Sequence, residues 1–223
     1  MNWNQEMEKF VEENSDHFID RYNREIVYQE INGQKLLLDI GNSNHKFLME
    51  LTDKFRHLIT AVCQDIFHTA CFPYTPDIIT CLNVLEHIDN DIEAIKEIYK
   101  RVAPGGKAIF TVPMGPHLYD VLDIQHFHCR RYTWDELKWK VSYAGFKIER
   151  MNYFGVLPYP AFYLQKRLNQ VLYKDPDMKV LRNQTKKSKM SWLMPLCRME
   201  YKLGKRFRYP FGIRCYVVAR KDK

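Results

Sequence analysis

Three short stretches of this chain set reactive side chains at spacings that suit chemistry. Asp39-Ile40-Gly41-Asn42-Ser43 ends an apolar run with an acid and then a glycine. Such a turn lets the backbone approach a ligand at the start of the next helix. Asn83-Val84-Leu85-Glu86-His87 places an amide, a carboxylate and an imidazole beyond a second apolar run, DIITCL. The segment DIQHFHCRRY, from Asp123 to Tyr132, joins a carboxylate, two imidazoles and two guanidiniums. Imidazoles move protons near neutral pH, and Arg130 and Arg131 are suited to clamping an anion. Plainer readings stand beside these. The first stretch is also a β-to-α turn needing one glycine, His87 a helix N-terminal contact, and His128 a hydrogen-bonded loop histidine. One of the two arginines is also a candidate for simple solvation. His126-x-His128-Cys129 lacks the second spaced pair of a zinc site, and no metal is expected.

The elements that must position these residues alternate. Lys35 to Ile40, His57 to Val62, Asp77 to Leu82, Ala108 to Pro113 and Phe146 to Phe154 read as buried strands. Helical spacing fills His45 to Phe55, the stretch from Asn90 to Pro104, and Trp134 to Ala144 with Gly145 as its stop. The pattern predicts an α/β fold, a mostly parallel sheet with helices on both faces. Its ligands belong beyond the carboxyl ends of the strands, where the three stretches fall. Four regions follow: an N-terminal helical lid (1–30), the core (31–154), a basic helical insertion (155–212) and a final strand (213–223).

Composition narrows the class. The chain has 223 residues, 46% hydrophobic and 27% charged, with nine Gly and ten Pro, which excludes collagen-like, low-complexity and disordered chains. No apolar run approaches the roughly 18 to 20 residues of a membrane span. Residues 1–13 carry four glutamates and one lysine, unlike a signal peptide. Six cysteines without a CxxC pair fit reduced thiols and a cytoplasmic location. The net charge of +7 is split, with −6 over residues 1–163 and +13 over 164–223. A basic quarter on an acidic body suits an anionic acceptor, or peripheral contact with an anionic membrane. With no target-reading motif and an acidic body, nucleic acid ranks last as a partner.

The stretch DIITCLNVLEHIDNDIEAIKEIYKRVAPGGKAIFTVP, from Asp77 to Pro113, resembles the class I S-adenosylmethionine-dependent methyltransferases. The likeness lies in the D-hydrophobic-hydrophobic strand, VLEHI, a helix entering P-G-G, and a strand ending in TVP. DIQHFHCRRY, followed by T-x-x-E-L and A-G-F, is similar to the D-x-x-x-G-H-x-R-R-Y segment of a bacterial subgroup of the type 11/23-like kind. That subgroup is associated with modification of cell-surface glycans or lipids, and PFGIRCYVVARK is similar to its last strand. The resemblance covers residues 35–223. It implies a Rossmann-like sheet with an antiparallel last strand, and S-adenosyl-L-methionine as cofactor. The implied function is methyl transfer, foremost O-methylation, to a small-molecule, glycan or lipid-linked acceptor. Asp39, Gly41, Asn42, Ser43, Asp65, Asn83 and Leu85 are the implied cofactor residues. His87, His128 and Asp123 are the candidates for catalysis, and Arg130, Arg131 and Tyr132 for acceptor binding.

Departures sharpen these expectations. The family pattern D-x-G-x-G-x-G keeps only Asp39 and Gly41, and His45 stands where its ring would crowd the methionine moiety. The stretch from Gly41 to Asp77 is too short for two helix–strand units, so one is expected to be missing. By spacing, Cys63 falls near the ribose-binding acid with Asp65 just after it. Asp65 is the choice, because a thiol does not replace a bidentate acceptor; an adenine-contacting acid is the alternative for Asp65. Small-RNA-terminal and ubiquinone-pathway methyltransferases hold a divalent ion on E-x-x-E-H, but Asn83 replaces the first acid here. The rival functions are a methyltransferase fold retained for binding or scaffolding, and nucleic-acid methylation.

Overall fold

The computed structural model describes residues 18–41, 45–63, 66–67, 74–172 and 194–223. Among them six strands form one sheet in the order β2-β1-β3-β4-β6-β5. They are β1 (Leu36–Ile40), β2 (Ile59–Cys63), β3 (Ile78–Leu82), β4 (Lys107–Pro113), β5 (Lys147–Phe154) and β6 (Arg214–Arg220). The first four are parallel, and β6 is antiparallel to both β4 and β5. The helices are α1 (Phe18–Glu30), α2 (His45–Lys54), α3 (Asp91–Arg101), α4 (Val121–Gln125), α5 (Trp134–Tyr143), α6 (Tyr159–Leu172) and α7 (Met194–Gly204). Among the described residues a single helix–strand unit, α2 and β2, separates β1 from β3, as the short spacing predicted. None of the described helices is long and apolar enough to cross a membrane.

The period of two along each strand divides the core between the two faces. Leu38, Ile79, Phe110 and Val217 face Ile95 and Ile98 of α3 and Leu137 and Val141 of α5. Leu37, Ile78, Ile109 and Val218 face Tyr22, Ile26 and Val27 of α1 and Phe47 and Leu51 of α2. Both faces are covered, so the central strands read as nearly continuous apolar runs. Each fully buried Leu or Ile contributes roughly 1.5–3 kcal/mol of transfer free energy. Asn90 caps α3 by accepting from the Glu93 N–H, and Thr133 and Glu136 form a capping box on α5.

The register aligns the ends that matter. Ile40 lies beside Cys63 and Cys81, and Leu82 beside Thr111. Arg214, the first residue of β6, pairs with Pro113 at the end of β4 and with Phe154 at the end of β5. The segment carrying α6 and α7 therefore leaves and re-enters the sheet at the carboxyl edge. Between β4 and α5 lies structure that the sequence pattern did not resolve: a 3-10 turn at Pro116–Leu118 and the short α4, held by an Asp120–Asp123 capping box.

Candidate active site

The turn after β1 is held tightly. Gly41 has φ of 106°, and a Cβ there would meet Val84 Cγ2 at 2.5 Å. Asp39 is fully buried at the end of β1, its Oδ1 accepting from the Thr80 hydroxyl. Asn83 follows β3 in the left-handed region at φ 57°. Its N–H donates to the Thr111 carbonyl at 2.9 Å, and its Oδ1 accepts from Arg214 Nη1 at 2.7 Å. Asn42, Ser43 and Asp65 lie outside the described residues, and His45 opens α2.

Two histidines 41 positions apart in sequence meet beyond β3 and β4. The rings of His87 and His128 stand edge to face with centroids 4.8 Å apart. The Cys129 N–H donates to the Glu86 carbonyl at 2.7 Å, which joins the 126–131 loop to the 3-10 turn at Leu85–His87. Each histidine has an acceptor at Nδ1: the Phe127 carbonyl at 3.2 Å for His87, and Asp123 Oδ1 at 2.9 Å for His128. These partners assign the Nδ1–H tautomer to both rings and leave Nε2 with its lone pair. Burial holds the His87 imidazole below its ordinary range, against the opposing pull of Glu86. Among the described residues only Asn83 and Phe127 have positive φ without being glycine, each at 57°; Phe127 accepts from His87, and Asn83 precedes the turn that carries His87. Such strain persists where the surrounding structure over-determines it, commonly at functional sites.

Asp123 is the centre of a buried ionic cluster. Arg131 donates Nε to Oδ2 at 2.9 Å and approaches Oδ1 with Nη2 at 2.8 Å, and Lys166 Nζ reaches Oδ2 at 2.8 Å. Lys166 also reaches Asp120 Oδ1 at 2.6 Å, and Asn169 donates to Asp120 Oδ2 at 2.9 Å. Burial alone would raise the Asp123 carboxyl, but the His128 hydrogen bond, Arg131 and Lys166 outweigh it and hold Asp123 well below the usual carboxylate range.

The other predicted residues are placed elsewhere. The Leu85 side chain and the Tyr132 ring are turned into the core, both 0% exposed, and the Tyr132 hydroxyl donates to the Leu85 carbonyl and to Asp91. Arg130 pairs with Asp91 at 3.0 Å and donates to the Asp89 carbonyl at 2.9 Å. The structure thus brings His87, His128, Asp123 and Arg131 together and leaves Tyr132 and Leu85 as packing.

Sequence reasoning missed Arg214 and Asp20, and with them the ion pair that Glu86 makes. Arg214 Nη1 approaches Glu86 Oε1 at 3.3 Å, while Glu86 Oε2 and Arg214 Nε are buried with no hydrogen-bond partner among the described residues. Asp20, in the first turn of α1, is raised to about 6 by burial, with Arg214 and Arg24 opposing the rise. A charged residue opening an otherwise apolar strand, IRCYVVA, was the available signal for Arg214. Ligand atoms of Glu86, His87 and His128 lie within 4.8 Å of one another. The fold therefore groups His128 with the Glu86 turn rather than with Cys129, although Arg214 already offsets the Glu86 charge.

His126 supplies a pH prediction. Its Nδ1 lies 2.7 Å from the Leu122 carbonyl, and burial, helped by His128, lowers its pKa to about 4. The folded value lies below the unfolded one. Its contribution to stability is therefore complete above pH 6.5 and lost as pH falls from about 6.5 to about 4, by up to about 3 kcal/mol. Melting temperatures of wild type and His126→Gln at pH 7.5 and 4.5 should show a smaller acid-side fall in the variant; equal falls would exclude His126 as the cause.

Known proteins identify this architecture. A family model described as a methyltransferase domain matches residues 7–150. The chain belongs to the class I S-adenosylmethionine-dependent methyltransferases. No curated protein sequence matches it significantly. Among solved structures, it is similar to a putative methyltransferase from Bacillus halodurans, with 14% identity, 91% of this chain and 99% of that one covered, and a TM-score of 0.54. It is also similar to the N-methyltransferase NodS from Bradyrhizobium japonicum, solved with S-adenosyl-L-homocysteine, with 11% identity, 93% and 90% covered, and a TM-score of 0.52. The [4+2]-cyclase SpnF aligns with 16% identity, 91% and 81% covered, and a TM-score of 0.55. At these identities the structural likeness shows the fold alone.

The methyltransferase uses S-adenosylmethionine, which supplies a methyl group on an electrophilic sulfonium. Its residues fit that group. Gly41 and Asn83 bring backbone to the carboxyl edge, and Glu86 Oε2 and Arg214 Nε are an unused acceptor and donor of the kinds an amino-acid end requires. Asp39, Gly41 and Asn83 would hold it, with Arg214 and Glu86 nearby.

Proposed function

We propose that this methyltransferase methylates a hydroxyl oxygen of an anionic small-molecule, glycan or lipid-linked acceptor, with the Asp123–His128 dyad receiving the hydroxyl proton. The observation that carries the reading is the 2.9 Å contact of His128 Nδ1 with Asp123 Oδ1, on a ring whose centroid lies 4.8 Å from that of His87. A hydroxyl is a poor nucleophile toward a sulfonium until its proton is lost, whereas a positioned neutral imidazole accepts that proton as the oxygen attacks. With S-adenosylmethionine bound, its sulfonium would supply the methyl to the acceptor oxygen as the S–C bond breaks, and His128 Nε2 would take the hydroxyl proton. Asp123 fixes the ring and stabilises the imidazolium, the role of a carboxylate behind a general-base histidine. His87, kept neutral by burial, adds a second lone pair for orienting the acceptor.

Acceptor charge is inferred from the basic tract. After β5 the chain carries the +13 segment, whose described part includes exposed Arg198, Lys202, Lys205, Arg206 and Arg208 around α7. Lys186, Lys187 and Lys189 lie outside the described residues. The outer face of α6 exposes Leu164, Leu168, Val171 and Leu172. This apolar face, with exposed Arg167 on the same helix and the cations of α7 elsewhere in the insertion, supports an acceptor presented at a lipid surface, with a cytoplasmic, membrane-peripheral enzyme. The test is incubation with S-adenosylmethionine labelled with 13C at the methyl and a panel of hydroxylated acceptors with and without carboxylate or phosphate. A methoxy carbon signal, stronger with the anionic acceptors and lost in His128→Asn, is expected. An N-methyl product, or transfer unchanged in His128→Asn, would overturn the reading.

A further inference from the structure

α6 packs in a way that hydrophobic burial does not explain. Its Leu164, Leu168, Val171 and Leu172 are 60%, 50%, 73% and 65% exposed, whereas Lys166 and Asn169 are each 3% exposed. The buried residues of the helix are polar, Lys166 and Asn169, with half-buried Phe162 and Gln170 on the same face at helical spacing. Lys166 and Asn169 bond Asp120 and Asp123, and Gln170 donates to the His117 and Tyr119 carbonyls at 2.9 Å each. A helix that turns its leucines outward is held by those polar side chains.

We infer that Lys166 is a positioning residue of the acceptor site, through which the first helix of the insertion fixes Asp123 against His128. The inference rests on the reading of the dyad as the proton acceptor. Asp123 has two oxygens and four partners to serve. Oδ2 takes Lys166, Arg131 Nε and the Asp120 N–H, leaving Oδ1 for His128 Nδ1 and the second arm of Arg131. Lys166 is the partner that comes from the insertion, and with the other two it anchors one oxygen and so aims the other. It also balances charge: Asp120 and Asp123 face Arg131 and Lys166, two acids against two cations, all at most 7% exposed. Burial and Arg131 push the Lys166 ammonium down and the two carboxylates hold it up, so its charge depends on the cluster it completes. The insertion is then part of the catalytic apparatus as well as a surface for the acceptor.

A merely charge-balancing lysine and a positioning lysine are separated by the paired variant Asp120→Asn with Lys166→Met. It removes one charge of each sign and keeps an N-cap, since Asn caps as well as Asp. The readout is the ring nitrogen pattern of His128, from long-range 1H–15N correlation on full-length protein with labelled histidine, assigned by its loss in His128→Asn. Wild type should show the single Nδ1–H tautomer. The paired variant should keep a melting temperature within a few degrees of wild type yet lose that single tautomer, while Lys166→Arg retains it. If the paired variant does not fold, Lys166→Gln, which keeps a donor but not the charge, is read the same way. An unchanged His128 pattern in the folded neutral variant would overturn the inference. An Nε2–H tautomer in wild type would instead defeat the dyad reading on which it rests.

Discussion

Asp123→Ala should lower stability by about 3–5 kcal/mol, the largest effect of any single side chain in the site. The loss comes from what remains behind. Arg131 and Lys166 are 7% and 3% exposed, and both direct donors at Asp123. Without the carboxylate, two cations share one acid, Asp120, in a region where water cannot replace the missing partner. His128 loses its orienting acceptor and the α4 capping box loses its reciprocal bond. Asp123→Asn should cost less, since it still accepts one bond. Urea midpoints for the three proteins measure the difference. A loss below about 1 kcal/mol for Asp123→Ala would mean that the cluster is solvated like a surface ion pair.

Gly41→Ala should weaken S-adenosylhomocysteine binding at least tenfold and cost about 2–5 kcal/mol of stability. Two causes act together. The residue sits at φ 106°, where an L side chain is strained, and the added Cβ would lie 2.5 Å from Val84 Cγ2. Relief requires the β1 turn or the Val84 segment to move, and both border the cofactor edge. Adding Val84→Ala removes the clash and leaves the backbone strain, so the double variant should recover part of the stability. Binding and melting temperature equal to wild type in Gly41→Ala would show that this turn is far looser than its geometry indicates.

The alternation of β3, α3 and β4 was legible because their strands are buried on both faces and α3 is stopped by Pro104 and capped by Asn90. The shortened segment after β1 was legible as a count of residues. The pairing of His87 with His128 was not, since it rests on long-range bonds such as those from the Cys129 N–H to the Glu86 carbonyl and from His87 Nδ1 to the Phe127 carbonyl. Tyr132 read as an acceptor contact through the likeness of its segment to D-x-x-x-G-H-x-R-R-Y, yet its ring fills the core and its hydroxyl donates to Asp91. α6 defeats pattern reading altogether, because periodicity assigns its leucines to the interior and the fold buries its lysine. A polar partner already fixed on another segment overrides the apolar face, and a single sequence does not reveal that partner.

The loss of later glycines at Ser43 and His45 makes cofactor binding the point on which everything else depends. Isothermal titration of the full-length protein with S-adenosylhomocysteine tests it most directly. The account predicts a single saturable site that is weakened at least tenfold in Gly41→Ala. No heat of binding at millimolar ligand, from protein that melts cooperatively, would contradict it and leave a methyltransferase fold kept for another purpose.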